Sequence, residues 1–199
     1  MNLEVYNVSG SFSLFENPKK QEMLSNNVME SLKRKSLKAV FKTKNGKQPG
    51  QLVVPIADPK VTVQIFQTGR VLIHAAVTVQ ECERAASVVL QRICERQQMC
   101  SVKFVPGVFD FKMISVHAKC HVGFGIHLEN ASKDPAFRRC KFNPNLHDPS
   151  LCYNMKNQNA KLRVFVSGKM NICAKTLQEI EQAVNLIYPR LKRFKLENF

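Results

Sequence analysis

Short segments in which apolar and polar residues alternate recur along the chain and predict an antiparallel β-sheet. In residues 61–66 the apolar side chains alternate with polar ones, and Phe66 shares the polar side. Residues 160–167 repeat this pattern, with Val166 on the apolar side and Phe165 on the polar side. One face of the predicted sheet is therefore covered by the protein itself, whereas the other face is open and polar.

The same pattern places helices between and after the predicted strands. One helix is predicted to begin at Asn17-Pro18, and its counterpart in the second half is weakly marked because Pro135 interrupts it. Two closing helices follow the capping-box patterns that begin at Thr78 and Thr176. The predicted fold class is thus α+β. Strands are predicted near residues 5–14, 37–42, 50–56, 60–67, 70–76, 111–123, 138–142, 151–156, 160–167 and 169–174.

An internal repeat connects the two halves of the chain. Phe66-Gln-Thr-Gly-Arg70 matches Phe165-Val-Ser-Gly-Lys169, and both runs predict a hairpin in which glycine adopts a positive φ. The closing helices that follow also match in order. The chain is therefore predicted to contain two repeats, residues 1–100 and 101–199, that together form one domain with pseudo-twofold symmetry.

The charge of the chain favours a polyanionic partner. Lysine and arginine number 30 against 15 acidic residues, which gives a net charge of +15. A solvated basic surface that serves only solubility is the alternative. The sequence shows no apolar run of membrane-spanning length and no secretory signal, so we expect no membrane partner and an intracellular protein.

Cysteine and histidine usage does not favour a metal or disulfide framework. The chain has seven cysteines and no C-x-x-C pair, which is typical of reduced thiols in an intracellular compartment. His117 and His121 share one side of a predicted strand, whereas Cys120 lies on the other side. No P-loop, G-x-S-x-G or H-E-x-x-H motif is present, so we predict no enzyme, no cofactor and no metal.

The second repeat carries a family resemblance. Phe165-Val-Ser-Gly-Lys169, Cys173-Ala-Lys175 and Ile187-Tyr-Pro-Arg-Leu-Lys192 follow one another as in the end of the TATA-box-binding protein (TBP) core. Asp148-Pro-Ser-Leu-Cys-Tyr153 resembles that family's Phe-Pro-Gly-Leu-Ile-Tyr segment. The likeness covers residues 60–97 and 108–194. It suggests a diverged member of the family, of the sort that large DNA viruses encode.

The resemblance implies a TBP-like saddle, in which two pseudo-symmetric repeats form a curved antiparallel sheet with helices on the convex face. In this family the concave face lies on the DNA minor groove and apolar wedges kink the duplex, and that geometry is implied by the resemblance alone. The implied partners are promoter DNA, a general initiation factor resembling the B-type factor, and the RNA polymerase machinery. The implied location is the nucleus or a cytoplasmic viral replication site.

The candidate DNA-binding residues combine the family pattern with their position on the polar side of the strands. Phe66 and Phe165 match wedge phenylalanines, since each shares its side with polar residues, although a core position is the usual alternative for a strand phenylalanine. Arg70 and Lys169 follow the hairpin glycines and could contact phosphates, as could Lys175. The candidate groove-facing residues are Asn7, Ser115, Gln64, Leu72, His74, His117, Arg163, Asn171 and Cys173.

Two segments depart from the family pattern. The second wedge phenylalanine of each repeat is replaced by Gln48 or Pro49 and by His147 or Asp148. We therefore expect weaker kinking, or DNA bound without the usual pair of sharp bends. The family's Glu-Pro-Glu-Leu contact loop for the initiation factor corresponds to Asn143, Pro144, Asn145 and Leu146, which lack both acids.

These departures leave two rival functions open. A scaffold or decoy could keep the fold and bind proteins with weak or no specific DNA binding. A recognition module of a nucleic-acid enzyme is the second rival, although no catalytic segment accompanies the repeats in this sequence.

Overall fold

A computed structural model describes residues 2–16, 24, 29, 40–42, 51–100, 106–138, 140–145 and 147–196. The predicted helix after Asn17 lies outside these ranges, except for the buried residues Leu24 and Met29. The structure forms two compact units. The first unit is Asn7–Ile114, and the second combines Met1–Tyr6 with Ser115–Phe199. The predicted repeat boundary near residue 100 stays a prediction about the sequence.

The first unit is an antiparallel sheet followed by one long helix. Its strands are hydrogen-bonded in the order β2-β3-β4-β5-β1, and the first three residues of β1 belong to the second unit. The elements are β1 (Glu4–Ser13), β2 (Val40–Lys42), β3 (Gln51–Ile56), β4 (Val61–Phe66), β5 (Arg70–Ala76) and the helix α1 (Val79–Cys100).

The second unit repeats this arrangement, with its strands in the order β6-β10-β9-β8-β7. The helix α2 ends at Lys133 because Asp134, which precedes Pro135, is extended (ψ 136°), and a 3₁₀ turn follows. The predicted interruption at Pro135 is therefore confirmed. The elements are β6 (Phe109–His121), α2 (Leu128–Lys133), the 3₁₀ turn Pro135–Phe137, β7 (Cys140–Phe142), β8 (Ser150–Met155), the 3₁₀ turn Lys156–Gln158, β9 (Ala160–Phe165), β10 (Lys169–Ala174) and α3 (Leu177–Lys192).

In each unit the apolar side of the sheet is buried beneath a helix, as the alternation predicted. The alternate residues of β4, β5, β9 and β10 are buried, together with the inward-facing residues of α1 and α3. Val166 is the exception, because it is 37% exposed and lies in the turn after β9. Its placement on the apolar side was wrong, since strand alternation ends at Phe165.

The local turn and capping chemistry follows the sequence closely. Gly69 and Gly168 have φ values of 80° and 82°, so the two predicted glycine hairpins are confirmed. Thr176 and Glu179 form a complete capping box. Around α1, the Thr78 hydroxyl accepts the N–H of Glu81, but the Glu81 carboxylate accepts the N–H of Val77 instead of that of Thr78.

A membrane-crossing helix, with enough length and enough apolar residues, does not occur in the described ranges of the chain.

Candidate nucleic-acid interface

The open face of the second unit carries a row of basic and polar side chains that runs across five strands. Lys141 pairs with Cys152, Cys152 with Arg163, Arg163 with Asn171, and Asn171 with Lys119. Each of the five is exposed. Because neighbouring strands lie about 4.8 Å apart, this arrangement places three cations along a short line. We refer to these five residues as the cationic row.

A second, more enclosed row lies beside the cationic row. Lys161 pairs with Asn154 on one side and with Cys173 on the other, and Cys173 pairs with His117. The Nε2 atom of His117 lies 3.6 Å from the Cys173 sulfur and 3.3 Å from the Ser115 hydroxyl. These contacts hold three of the predicted groove-facing residues in one hydrogen-bonded group.

The residues of both rows, except Lys119, line a shallow hollow of about 430 Å³. Tyr6 lies at its edge, with its ring centre 6.1 Å from that of His117, and is 42% exposed. Burial raises the pKa of the Cys173 thiol, and nearby Lys161 opposes that shift only in part. The thiol is therefore protonated at neutral pH. The hollow thus contains a neutral thiol and is bordered by lysine and arginine side chains. This combination suits a polyanion that also has an apolar surface.

Phe165 lies on this open face and is half-buried. The Arg163 guanidinium carbon is 5.2 Å from the centre of the Phe165 ring, a cation–π distance. The Nε atom of Arg163 donates a 2.7 Å hydrogen bond to the Ser150 hydroxyl, which is 4% exposed. Arg163 therefore orders one side of the ring that the sequence assigned to a wedge.

The first unit presents a neutral row at the corresponding strand positions. Val53 pairs with Gln64, Gln64 with Leu72, and Leu72 with Ser11, and these four side chains carry no charge. We refer to them as the neutral row. The predicted residues Gln64 and Leu72 are half-buried within it. Within the described residues, the cationic row and the neutral row are therefore alike in strand topology and unlike in charge.

Phe66 and His74 complete the open face of the first unit. Phe66 pairs with Gln51 and is half-buried, so neither predicted wedge ring is sealed in the core. The Nδ1 atom of His74 lies 3.3 Å from the Ser9 hydroxyl, and this contact accounts for a serine that is 4% exposed.

Asn7 is half-buried at the centre of β1. Its Oδ1 atom accepts the N–H of Ala75 at 3.1 Å, at a point where Ala75 has a φ of 66° and the pairing of β1 with β5 is irregular. The side-chain amide nitrogen therefore remains as the group that could donate to a ligand.

The three predicted phosphate-contacting cations are exposed. Arg70 pairs with Ser13 and Lys169 with His121, each directly after its hairpin glycine. Lys175 precedes α3.

The predicted partner loop is an exposed turn. Asn143, Pro144 and Asn145 are exposed, and the Asn143 carboxamide accepts the N–H of Asn145 at 3.0 Å. Leu146 lies outside the described residues. At the second wedge positions, His147 and Asp148 are exposed, whereas Gln48 and Pro49 are outside the described ranges.

The sequence-based list missed several residues of the second unit's open face, namely Tyr6, Lys119, Lys141, Cys152, Asn154 and Lys161. Alternation already places Lys119 and Lys161 on the polar side of their strands. The line that connects Lys141 to Lys119 depends on the register of four strand pairs, which no local pattern specifies.

The described residues contain no group of three histidine, cysteine or acidic side chains placed to hold a metal ion. Six cysteines are free thiols, and burial raises the pKa of two of them, Cys82 and Cys120, to about 11. For Cys82, Glu81 and Glu83 add to the effect of burial.

Two related units, each an antiparallel sheet covered by helices on one face only, define a duplicated α+β protein with open sheet faces. A family model described as transcription factor TFIID (or TATA-binding protein, TBP) matches residues 22–95 and 110–194. The chain belongs to this family. The resemblance seen in the sequence is thereby confirmed, and the suggested viral origin stays a prediction.

Individual relatives agree with this assignment. The TATA-box-binding protein of Acanthamoeba castellanii is 32% identical over 76% of this chain, which spans 56% of that relative. TATA-box-binding protein 1 of Triticum aestivum is 34% identical over 82% of this chain and 67% of the relative. The solved Methanococcus jannaschii TBP superposes with a TM-score of 0.73 over 97% of this chain and 99% of that chain, at 19% identity. This superposition confirms the predicted TBP-like fold.

Proposed function

We propose that the open sheet faces of both units bind duplex DNA and that the chain acts as a transcription initiation factor. The observation that carries this proposal is the cationic row, in which Lys119, Lys141 and Arg163 share an open face backed by helices. Lys119 is paired with the Glu4 carboxylate at 3.0 Å, which leaves Lys141 and Arg163 as the row's cations with no carboxylate partner among the described residues. Cations of this kind contact phosphates, whose neutralisation drives DNA binding. Membership of a family of transcription factors supports this function and the prediction of no catalytic role.

The proposed mode of binding is the minor-groove mode of the family, with Phe66 and Phe165 as wedges. Both rings are half-buried on their open faces, so each has surface available to stack on a base step. The groove-facing polar residues, among them Asn7, Asn171 and Gln64, would contact base edges. Such contacts distinguish A·T from G·C pairs only coarsely.

The helix-covered sides of both units and the exposed turn at Asn143–Asn145 would contact proteins. By analogy with the family, we propose a B-type initiation factor and the polymerase machinery as these partners. The loop carries no acidic residue at its described positions, so a partner that relied on acidic contacts would bind it differently. Such a factor would act at promoter DNA, in the nucleus or at a cytoplasmic viral replication site.

The test is a salt titration of binding to a duplex library. We expect affinity to fall steeply with salt, and Phe66→Ala and Phe165→Ala each to lower affinity and duplex bending. The matched control is Phe124→Ala, because Phe124 lies on no strand of the sheet and its ring packs against Tyr188 of α3, with ring centres 6.0 Å apart. Bending of the duplex, measured by fluorescence resonance energy transfer, would distinguish a variant that no longer inserts a wedge from one that has lost only electrostatic attraction.

A protein-binding scaffold is the second candidate. Two observations favour it: Arg163 covers part of Phe165, and the exposed Asp148 replaces a wedge position. A duplex affinity equal to that of an unrelated protein of similar charge, unaffected by either phenylalanine substitution, would make the scaffold the better account.

A further inference from the structure

A second basic surface lies on the helix-covered side of the second unit. Arg138, Arg190 and Arg193 border an open groove of about 440 Å³, together with Tyr153. The three arginines come from different places: Arg138 follows the 3₁₀ turn, Arg190 lies in the last turn of α3, and Arg193 caps that helix. We refer to these three arginines and Tyr153 as the arginine groove.

One cation of the groove is fixed by an internal carboxylate. The Nη2 atom of Arg193 lies 2.8 Å from Oδ2 of Asp134, whose side chain is only 13% exposed. The other oxygen of Asp134 accepts the N–H of Ala136 at 2.8 Å. Both carboxylate oxygens of Asp134 therefore have partners within the protein, and the negative charge of Asp134 neutralises that of Arg193.

The other two cations lack such a partner. Within the described ranges, no acidic side chain lies at ion-pair distance from Arg138 or Arg190. Guanidinium groups remain charged at all physiological pH values, so a cluster of them is stabilised when an anion enters. The dipole of α3 stabilises a cation in the last turn of that helix, which accounts for Arg190. It does not account for Arg138, which lies outside the helix.

Tyr153 is the aromatic residue that lines the groove, and buried Phe137 lies behind it. Phe137 is fully buried, and its ring centre lies 5.6 Å from that of Tyr153 and 6.0 Å from that of Phe194. The Tyr153 hydroxyl donates to the carbonyl of Ala136 at 3.4 Å. These contacts restrict the Tyr153 side chain, so a bound segment would have less of it to order.

We propose that the arginine groove binds an acidic peptide segment of a partner protein. Carboxylates match the planar fork of guanidinium groups, and the Tyr153 ring beside Pro135 and Ala136 offers contacts to the apolar atoms of a peptide. DNA is the less suitable ligand. Side chains alternate along β8, so that of Tyr153 lies on the opposite side from those of Cys152 and Asn154, and Tyr153 is the one described residue that borders both the open-face hollow and the arginine groove. A duplex on the open face therefore leaves the arginine groove free.

The test uses a fluorescent octapeptide of alternating Glu and Asp, with a Gln and Asn octapeptide as the neutral probe. We expect Arg138→Ala with Arg190→Ala to weaken binding of the acidic peptide about tenfold. Lys60→Ala with Lys192→Ala removes the same charge from exposed positions outside the groove and outside the two rows of the open face, and it should change affinity less than about twofold. Thermal unfolding of both double variants checks that the fold is retained.

Three comparisons in this experiment can contradict the proposal. Equal peptide affinity for the wild type and the arginine variant, or a larger loss in the lysine variant, would overturn it. Displacement of the peptide by inorganic phosphate at matched ionic strength would show a simple anion site instead. Duplex affinity of the arginine variant should stay unchanged, and peptide should bind the preformed duplex complex. Failure of peptide binding with intact duplex binding would therefore sink this inference alone.

Discussion

The guanidinium group of Arg163 lies over the ring of Phe165, 5.2 Å from its centre. The two residues share one side of β9 because they are two positions apart. In the first unit the corresponding strand carries Gln64 and Phe66, so the equivalent ring has a neutral neighbour. The two units therefore carry a phenylalanine at the same strand position. Its neighbour is charged in the second unit and uncharged in the first.

Replacing Arg163 with Gln should reduce the salt dependence of duplex binding. Loss of one phosphate-contacting cation lowers the slope of log affinity against log salt by about 1, so affinity should fall at low salt and change little at high salt. Gln64→Ala is the matched change in the neutral row. Fluorescence anisotropy over a salt series would measure both, and an equal slope change in the two variants would contradict the assignment.

Duplex DNA should protect Cys152 from alkylation. Cys152 is exposed between Lys141 and Arg163 in the cationic row, whereas Cys94 is half-buried on α1. Mass spectrometry after iodoacetamide treatment should show a reaction at Cys152 that slows several-fold with duplex, and a reaction at Cys94 that does not. A Cys152 reaction rate that is the same with and without duplex would place the DNA elsewhere.

Cys82 and Cys120 provide an internal reference in the same experiment. Burial raises the pKa of each thiol to about 11, so very little thiolate is present at neutral pH. We expect both to remain unmodified until denaturant is added. Rapid labelling of either thiol in buffer would show that its unit opens.

Gly168→Ala should destabilise the protein more than Gly69→Ala. Both glycines have positive φ, which costs an alanine about 1–2 kcal/mol. At Gly168 the added methyl group would also meet the backbone oxygen of Phe124, whereas at Gly69 it would meet the side chain of Phe15. A side chain can move more easily than a backbone carbonyl. Urea unfolding would compare the two free energies, and equal losses would contradict this explanation.

Glu179→Gln should reduce the loss of stability in acid. Desolvation opposes ionisation of Glu179, but hydrogen bonds from the side chain of Asn159 and from the N–H groups of Thr176 and Lys175 outweigh it and lower the pKa. The stabilisation is therefore complete above the ordinary glutamate range and is lost as pH falls through the lowered folded pKa.

The measurement is the free energy of unfolding from neutral to acidic pH. The Gln variant should show a shallower decline below the ordinary glutamate range than the wild type. Glu181→Gln, at an exposed position of the same helix, is the control and should follow the wild type. Parallel curves for the wild type and Glu179→Gln would show that the capping box does not respond to protonation.

Local patterns were sufficient to predict most of the fold. Alternation identified the buried side of β4 and β9, and the glycines at 69 and 168 identified the hairpins, because both signals act over a few neighbouring residues. Val166 was misplaced because alternation cannot show where a strand ends.

Contacts between residues far apart in the chain could not be predicted from the sequence. The cationic row depends on strand register, and Arg193 meets Asp134 across 59 positions of the chain. The candidate site was consequently predicted as a set of separate residues. The two rows of the second unit, and the difference in charge between the cationic row and the neutral row, could be identified only from the pairing of the strands.

The contrast between the cationic row and the neutral row makes the two units unequal in what they can bind. Two units with identical rows would offer identical contacts to a ligand. The second unit presents Lys119 and Arg163 where the first presents uncharged Ser11 and Gln64. Units of the same topology can therefore be told apart by a ligand through a few strand positions.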